Sequence, residues 1–150
     1  MRILAALMVI GLASKASAFK YAEGISFSNS GPVYVSITDG TKGDCWTNRN
    51  EVRDYAISLI EAKGGTVVES AEEVLFNGIA FELKVGGKRD PNLNFCYGII
   101  SANFATWARA EHAPEIAGLL FLSQKEAVAL KFNNFNQQVL EHVQKAVEEW

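Results

Sequence analysis

The sequence predicts an α+β domain in which two amphipathic helices pack on one face of a largely antiparallel sheet. Apolar residues alternate with polar ones in several short runs, which is typical of half-buried strands. Near 48–63 and 134–149 they recur instead at three- and four-residue spacing, which is typical of helices with one buried side. Residues 19–150 contain no internal repeat, low-complexity tract or linker, so we expect them to form a single domain.

The first 18 residues have the pattern of a cleaved secretory signal peptide. Arg2 precedes an uncharged apolar run over 3–13. Ala16 and Ala18 occupy the −3 and −1 positions that signal peptidase requires, so we expect cleavage between Ala18 and Phe19. The apolar run is shorter than the roughly 20 residues that span a bilayer. We therefore expect no membrane insertion of the mature chain.

The charge of the mature chain argues against nucleic acid as a partner. Removal of residues 1–18 leaves 132 residues with 12 Lys+Arg and 17 Asp+Glu, a net charge of −5. This balance lacks the basic footprint of nucleic-acid-binding domains. No Asn-x-Ser/Thr glycosylation site occurs in the sequence, which favours a bacterial source. We expect a periplasmic or secreted location, where disulfides form.

Residues 19–32 are rich in Ser, Gly and Asn and predict a loosely held N-terminal arm. Its aromatic residues, Phe19, Tyr21 and Phe27, either pack on their own domain or add an edge strand to a sheet. The alternating runs that follow predict strands at 33–38, 66–69, 79–85, about 95–107 and 116–122.

Two helices have recognisable ends and buried stripes. Asn48 and Glu51 have the spacing of a capping box at the start of the first helix. Lys63 suits the negative C-terminal end of that helix, and Gly64-Gly65 provides a left-handed stop. The expected buried residues are Val52, Tyr55, Ala56, Leu59 and Ile60 in the first helix, and Phe135, Val139, Val143, Ala146, Val147 and Trp150 in or after the second.

Two segments allow two interpretations each. Ser70 and Glu73 have the spacing that caps a short helical turn. Asn77-Gly78, however, favours a tight hairpin between the apolar runs on either side, and this is the interpretation we prefer. Residues 123–132 fit either a short helix capped by Ser123 or a strand.

Residues 86–92, GGKRDPN, predict an exposed loop because they are rich in turn-forming residues. Lys88 and Arg89 at its tip form either a solvated turn or a small recognition site for an acidic partner. A phosphate-binding loop is excluded because the sequence predicts a strand after these glycines, where such loops have a helix.

Cys45 and Cys96 are the only cysteines, and an even count in an exported chain favours a disulfide between them. The bond would join the start of the first helix to a strand of the sheet. It would close a loop of 51 positions, which the chain-entropy model values at about 4 kcal/mol as an upper figure.

The order Gly43-Asp44-Cys45 before a helix also resembles the nucleophile segment of bacterial transglutaminase-like cysteine proteinases. The resemblance implies that Cys45 acts as a thiolate nucleophile, because a helix N-terminus lowers the pKa of a thiol. It further implies a histidine base, for which His112 is the candidate, oriented by Asn133 or Asn134.

The other polar residues form no complete catalytic or metal-binding pattern. His112 and His142 are the only histidines, and no pair of cysteines and histidines has the close spacing of a zinc site, so no metal is expected. No cofactor motif is present. We therefore expect a small exported, non-enzymatic domain that binds a protein or a small ligand. The alternative is a secreted cysteine hydrolase that uses Cys45 and His112.

Overall fold

A computed structural model describes residues 24–131 and 134–150, which form a five-stranded sheet and two α-helices. The predicted signal peptide, its cleavage site at Ala18 and Phe19, and Tyr21 lie outside the described residues. The strands are β1 (Pro32–Lys42), β2 (Thr66–Val68), β3 (Ile79–Asp90), β4 (Phe95–Ala110) and β5 (Ala113–Lys131); the helices are α1 (Arg49–Ala62) and α2 (Phe135–Glu148).

The sheet is mixed, with strand order β2-β1-β3-β4-β5. β3, β4 and β5 are antiparallel, as predicted, and they contain most of the strand residues. β1, however, is parallel to both β2 and β3. The chain returns from β1 to β2 through α1, and such a helical crossover joins parallel strands. The α+β class is therefore confirmed, and the antiparallel prediction is right for most of the sheet.

α1 begins and ends where the sequence predicts, but its ends are stabilised differently. The Asn48 side chain makes no hydrogen bond to the backbone of the helix. It accepts one from Trp46 Nε1 at 3.0 Å and donates one to Glu51 Oε2 at 3.0 Å. Gly64 has φ +85° and ends the helix as expected.

Lys63 stabilises the other helix rather than its own. Its Nζ donates to the carbonyl oxygens of Val147 and Glu148, at 2.9 and 2.8 Å. These carbonyls lie at the C-terminal end of α2, where the helix dipole is negative. The ammonium group of Lys63 thus links the C-terminal end of α1 to that of α2.

The preferred hairpin around Asn77-Gly78 is wrong. Ser70 and Glu73 instead form a complete capping box on a short 3-10 helix, Ala71–Val74, which is the alternative interpretation. Gly78 is required by close packing: a Cβ there would lie 2.3 Å from the carbonyl oxygen of Pro32. The Asn-Gly pair therefore reflects the approach of β1 to β3 and not a two-residue turn.

The exposed loop predicted at 86–92 is also wrong. β3 continues to Asp90, because Gly86, Gly87 and Lys88 pair with β1 on one side and with β4 on the other. Only residues 91–94 form the turn to β4. The ambiguous segment at 123–132 is a strand as far as Lys131.

Both helices pack on one face of the sheet, as predicted. This helix-covered face contributes Val35, Phe81 and Phe104 to the core, where α1 adds its stripe of Val52, Ala56 and Ile60. Phe27, from the segment predicted as an arm, is also buried there. In the described part of the chain, neither helix has the length and apolar character needed to cross a membrane.

Candidate functional site

Cys45 and Cys96 form a disulfide, as predicted, with their Cα atoms 5.5 Å apart. Both residues are buried. Cys45 precedes α1, and Cys96 is the second residue of β4, so the bond attaches the start of the helix to the sheet. A sulfur in a disulfide has no thiolate to offer as a nucleophile.

The structure does not bring Cys45 and His112 together. His112 lies exposed in the turn between β4 and β5. The partner of Cys45, Cys96, lies near the opposite end of β4, which at about 3.3 Å per residue is roughly 45 Å away along the strand. Asn134 precedes α2, far from that turn, and Asn133 lies outside the described residues. The arrangement expected for a cysteine hydrolase is therefore not assembled.

His142 is buried between α2 and β5. Its Nε2 lies 3.1 Å from the carbonyl oxygen of Lys125 and must donate the hydrogen bond, because a carbonyl only accepts. Burial is the main cause that lowers the pKa of His142, and the nearby Lys145 and Lys125 ammonium groups act in the same direction. Across the described residues, no three His, Cys, Asp or Glu side chains are grouped to hold a metal ion.

The sheet face opposite the helices, here called the open face, carries side chains that sequence reasoning had not brought together. Its residues form rows that cross neighbouring strands in register. Three of these rows are Ser36–Glu82–Asn103–Gln124, Thr38–Lys84–Ser101–Glu126 and Gly40–Gly86–Ile99–Val128. The first two rows are polar, which is typical of a sheet face that meets solvent, although Asn103 itself is buried.

One end of the open face carries an aromatic patch formed by Trp107, Leu119 and Phe121. Trp107 and Leu119 are register partners on β4 and β5, and Phe121 is the next residue on the same face of β5. Their exposed fractions are 40%, 38% and 50%, which is high for large apolar side chains.

The other end of the open face contains a shallow groove of about 590 Å³, here called the trough. Gly40 and Gly86 form its floor, Ile99 and Val128 its apolar end, and Lys42, Lys88 and Tyr97 its rim. Lys88 Nζ lies 5.4 Å from the centre of the Tyr97 ring, and the neighbouring Tyr97 side chain is the main cause that raises the pKa of Lys88.

The sequence predicts a loop at 86–92, where part of this site lies. Apolar alternation in β3 ends at Val85, and the glycines and charges at 86–89 are typical of turns. These residues nevertheless belong to β3, because they pair with β1 on one side and with β4 on the other. Lys88 therefore lies on a sheet face beside Lys42 and not at a loop tip.

No protein-family model matches the chain, and the search of curated proteins finds no match. Among solved structures, one similar chain is a point variant of the PelC dodecamer from Paraburkholderia phytofirmans, with a TM-score of 0.48 and 8% identity over 80% of this chain and 86% of that one. Another is a crystal structure of an uncharacterized protein, with a TM-score of 0.38 and 7% identity over 80% of this chain and 89% of that one. Similarity at this level carries no information about function.

Proposed function

We propose that this protein is a small exported, non-enzymatic domain that acts by binding a protein or a small ligand, and that it binds through the open face. The observation behind the proposal is the placement of exposed apolar side chains. Among the described residues, five of the eight large apolar side chains that are exposed lie on the open face: Ile99, Trp107, Leu119, Phe121 and Val128. They form two patches, one at each end of this face, and exposed apolar patches on a folded domain mark interaction sites.

Export is supported by the residue pattern at 1–18 and by the disulfide, which is typical of oxidising compartments. Its test is production of the full chain in a bacterial host, followed by N-terminal sequencing of the protein recovered from periplasm and medium. The expected first residue is Phe19. Recovery of an unprocessed chain in the cytoplasm would contradict export.

The binding surface is tested by chemical-shift mapping of the ¹⁵N-labelled mature chain with phenol and isopropanol as probes. We expect the shifts to cluster on β4 and β5 at open-face positions. Trp107→Ser should remove the phenol-induced shifts near Leu119 and Phe121. Shifts confined to the helices, or to the surface around His142, would argue against the open face.

A further inference from the structure

The rim of the trough holds two positive side chains that lie side by side on neighbouring strands. Lys42 and Lys88 are register partners on neighbouring parallel strands, whose backbones lie about 4.8 Å apart. Within the described residues, neither ammonium group lies within 4.0 Å of a carboxylate oxygen. Like charges directly opposite on a sheet repel, so the pair favours an anion placed between them.

The charge of Asp90 acts on Lys88, but Asp90 forms no ion pair with it and is held by the backbone of the turn that follows. Asp90 Oδ1 accepts hydrogen bonds from the backbone N–H groups of Asn92 and Leu93, at 2.8 and 3.0 Å. Glu82 pairs with Lys84 at 3.0 Å in the neighbouring rows. The residues that line the trough include two lysines and no acid.

The floor of the trough is open, and it leads from the lysines to apolar side chains. A Cβ built on Gly86 would meet no atom within 4 Å. The row that begins at Gly40 and Gly86 ends at Ile99 and Val128, which are 58% and 67% exposed. This row crosses four strands, about 14 Å from the first to the last. The trough is therefore basic at one end and apolar at the other.

We infer that the trough binds a single-chain anionic amphiphile of the fatty-acid type. The carboxylate lies between Lys42 and Lys88, and the alkyl chain crosses Gly86 and covers Ile99 and Val128. The inference rests on the proposed function, since it names the ligand class for one part of the open face.

Two other occupants fit the trough less well. A peptide that adds a strand needs unpaired backbone groups, and β3 and β4 are paired on both sides along the trough. β1 pairs with β2 only at residues 32–34, but a strand added to the rest of its outer edge would lie beside Lys42 and would not cover Ile99 and Val128. A bilayer surface would also have to cover the neighbouring rows, which contain Glu82 and Glu126. A single-chain amphiphile needs no unpaired backbone groups and does not have to cover the rows that contain Glu82 and Glu126.

The test is an NMR titration of the disulfide-bonded mature chain with decanoate, octanoate, decan-1-ol and decyltrimethylammonium, each below its micellar concentration. Decanoate should bind saturably, with shifts at Gly40, Gly86 and Ile99. Lys42→Gln/Lys88→Gln should weaken decanoate binding by about two- to thirtyfold, because the variant loses two exposed ion pairs, each worth about 0.2–1 kcal/mol. If about half of the chain surface is covered, octanoate should bind about fourfold more weakly than decanoate.

Gly86→Val should abolish saturable binding, because a Cβ at this position enters open space and the valine side chain fills the floor of the trough. Gly118→Val is the matched control, since a Cβ at Gly118 also meets no atom within 4 Å but lies outside the trough. Lys145→Gln controls for net charge. Both control variants should bind decanoate like the wild type.

The outcomes separate this inference from the proposed function. Decan-1-ol or the ammonium compound binding as tightly as decanoate, or shifts at the Trp107 patch alone, would overturn the anionic ligand and leave the open face as the binding surface. Binding to phosphatidylglycerol vesicles without saturable binding of decanoate would also overturn it. No open-face shift with any compound, phenol and isopropanol included, would overturn both proposals.

Discussion

The rings of Phe27 and Trp150 lie with their centroids 5.9 Å apart, and both rings pack on Phe104. Phe27 precedes β1, and Trp150 is the last residue of the chain. Residues near both ends of the described chain therefore pack against the same part of the core. The Trp150 ring is the nearer one to Phe104, with centroids 4.4 Å apart.

Trp150 should contribute to stability through its ring and not through its N–H group. Its buried Nε1 has no hydrogen-bond acceptor within reach among the described residues. Trp150→Ala should lower the free energy of unfolding by about 2–3 kcal/mol, because aromatic truncation costs about 3–5 kcal/mol at fully buried sites and Trp150 is half-buried. Trp150→Phe, which keeps a ring and removes the unpaired donor, should cost about 1 kcal/mol or less.

Urea unfolding of the mature chain measures both variants. Trp107→Ala, at an exposed position on the open face, is the control and should cost less than about 1 kcal/mol. Equal losses from Trp150→Ala and Trp150→Phe would mean that the indole N–H group, and not the ring, carries the effect.

Gly78 and Gly86 should respond in opposite ways to the same substitution. Gly78→Ala places a methyl group 2.3 Å from the Pro32 carbonyl oxygen, so the backbone must shift. Overpacking of this kind costs about 1–3 kcal/mol. Gly86→Ala enters open space and should change stability by about 0 to +1 kcal/mol, since it restricts the unfolded chain. Thermal unfolding compares the two, and a stable Gly78→Ala variant would refute the close approach.

The disulfide should account for a large part of the stability of this small domain. Cys45→Ala/Cys96→Ala should lower the free energy of unfolding by about 2–4 kcal/mol, because the bond restricts a loop of 51 positions in the unfolded chain. Urea unfolding of the oxidised wild type against this variant measures the loss. The reduced wild type should behave like the variant, and equal stability of all three forms would contradict the prediction.

The sequence predicted the features that depend on local pattern. The stripe of Val52, Ala56 and Ile60 identified the buried side of α1, and the even cysteine count identified the bond from Cys45 to Cys96. The strand–helix–strand order of β1, α1 and β2 was a signal for their parallel pairing. The parallel pairing of β1 with β3 was not accessible, because alternation in β1 is the same beside a parallel or an antiparallel neighbour. The trough was missed for a related reason. Its lysines, Lys42 and Lys88, are far apart in sequence and meet only through the pairing of β1 with β3.

Stability should fall as the pH drops below neutrality, and His142 should be the main cause. Burial lowers the pKa of His142 below its ordinary value of 6.5, so the folded state disfavours the proton. As the pH falls through 6.5, the unfolded chain binds that proton first, and stability is lost until the pH reaches the folded-state pKa. The carboxylate of Glu149 has a pKa lowered mainly by its hydrogen bond from Lys125, and it affects stability only below 4.5.

His142→Gln isolates this contribution because the amide remains able to donate to the Lys125 carbonyl oxygen without titrating. Urea unfolding of wild type and variant at intervals between pH 7.5 and 5 should give a falling curve for the wild type and a flatter one for His142→Gln. Lys145→Gln removes a neighbouring positive charge and should raise the pKa of His142 in the folded state. The stability of this variant should therefore fall less with decreasing pH than that of the wild type. Identical curves for wild type and His142→Gln would show that protonation of His142 is not linked to unfolding.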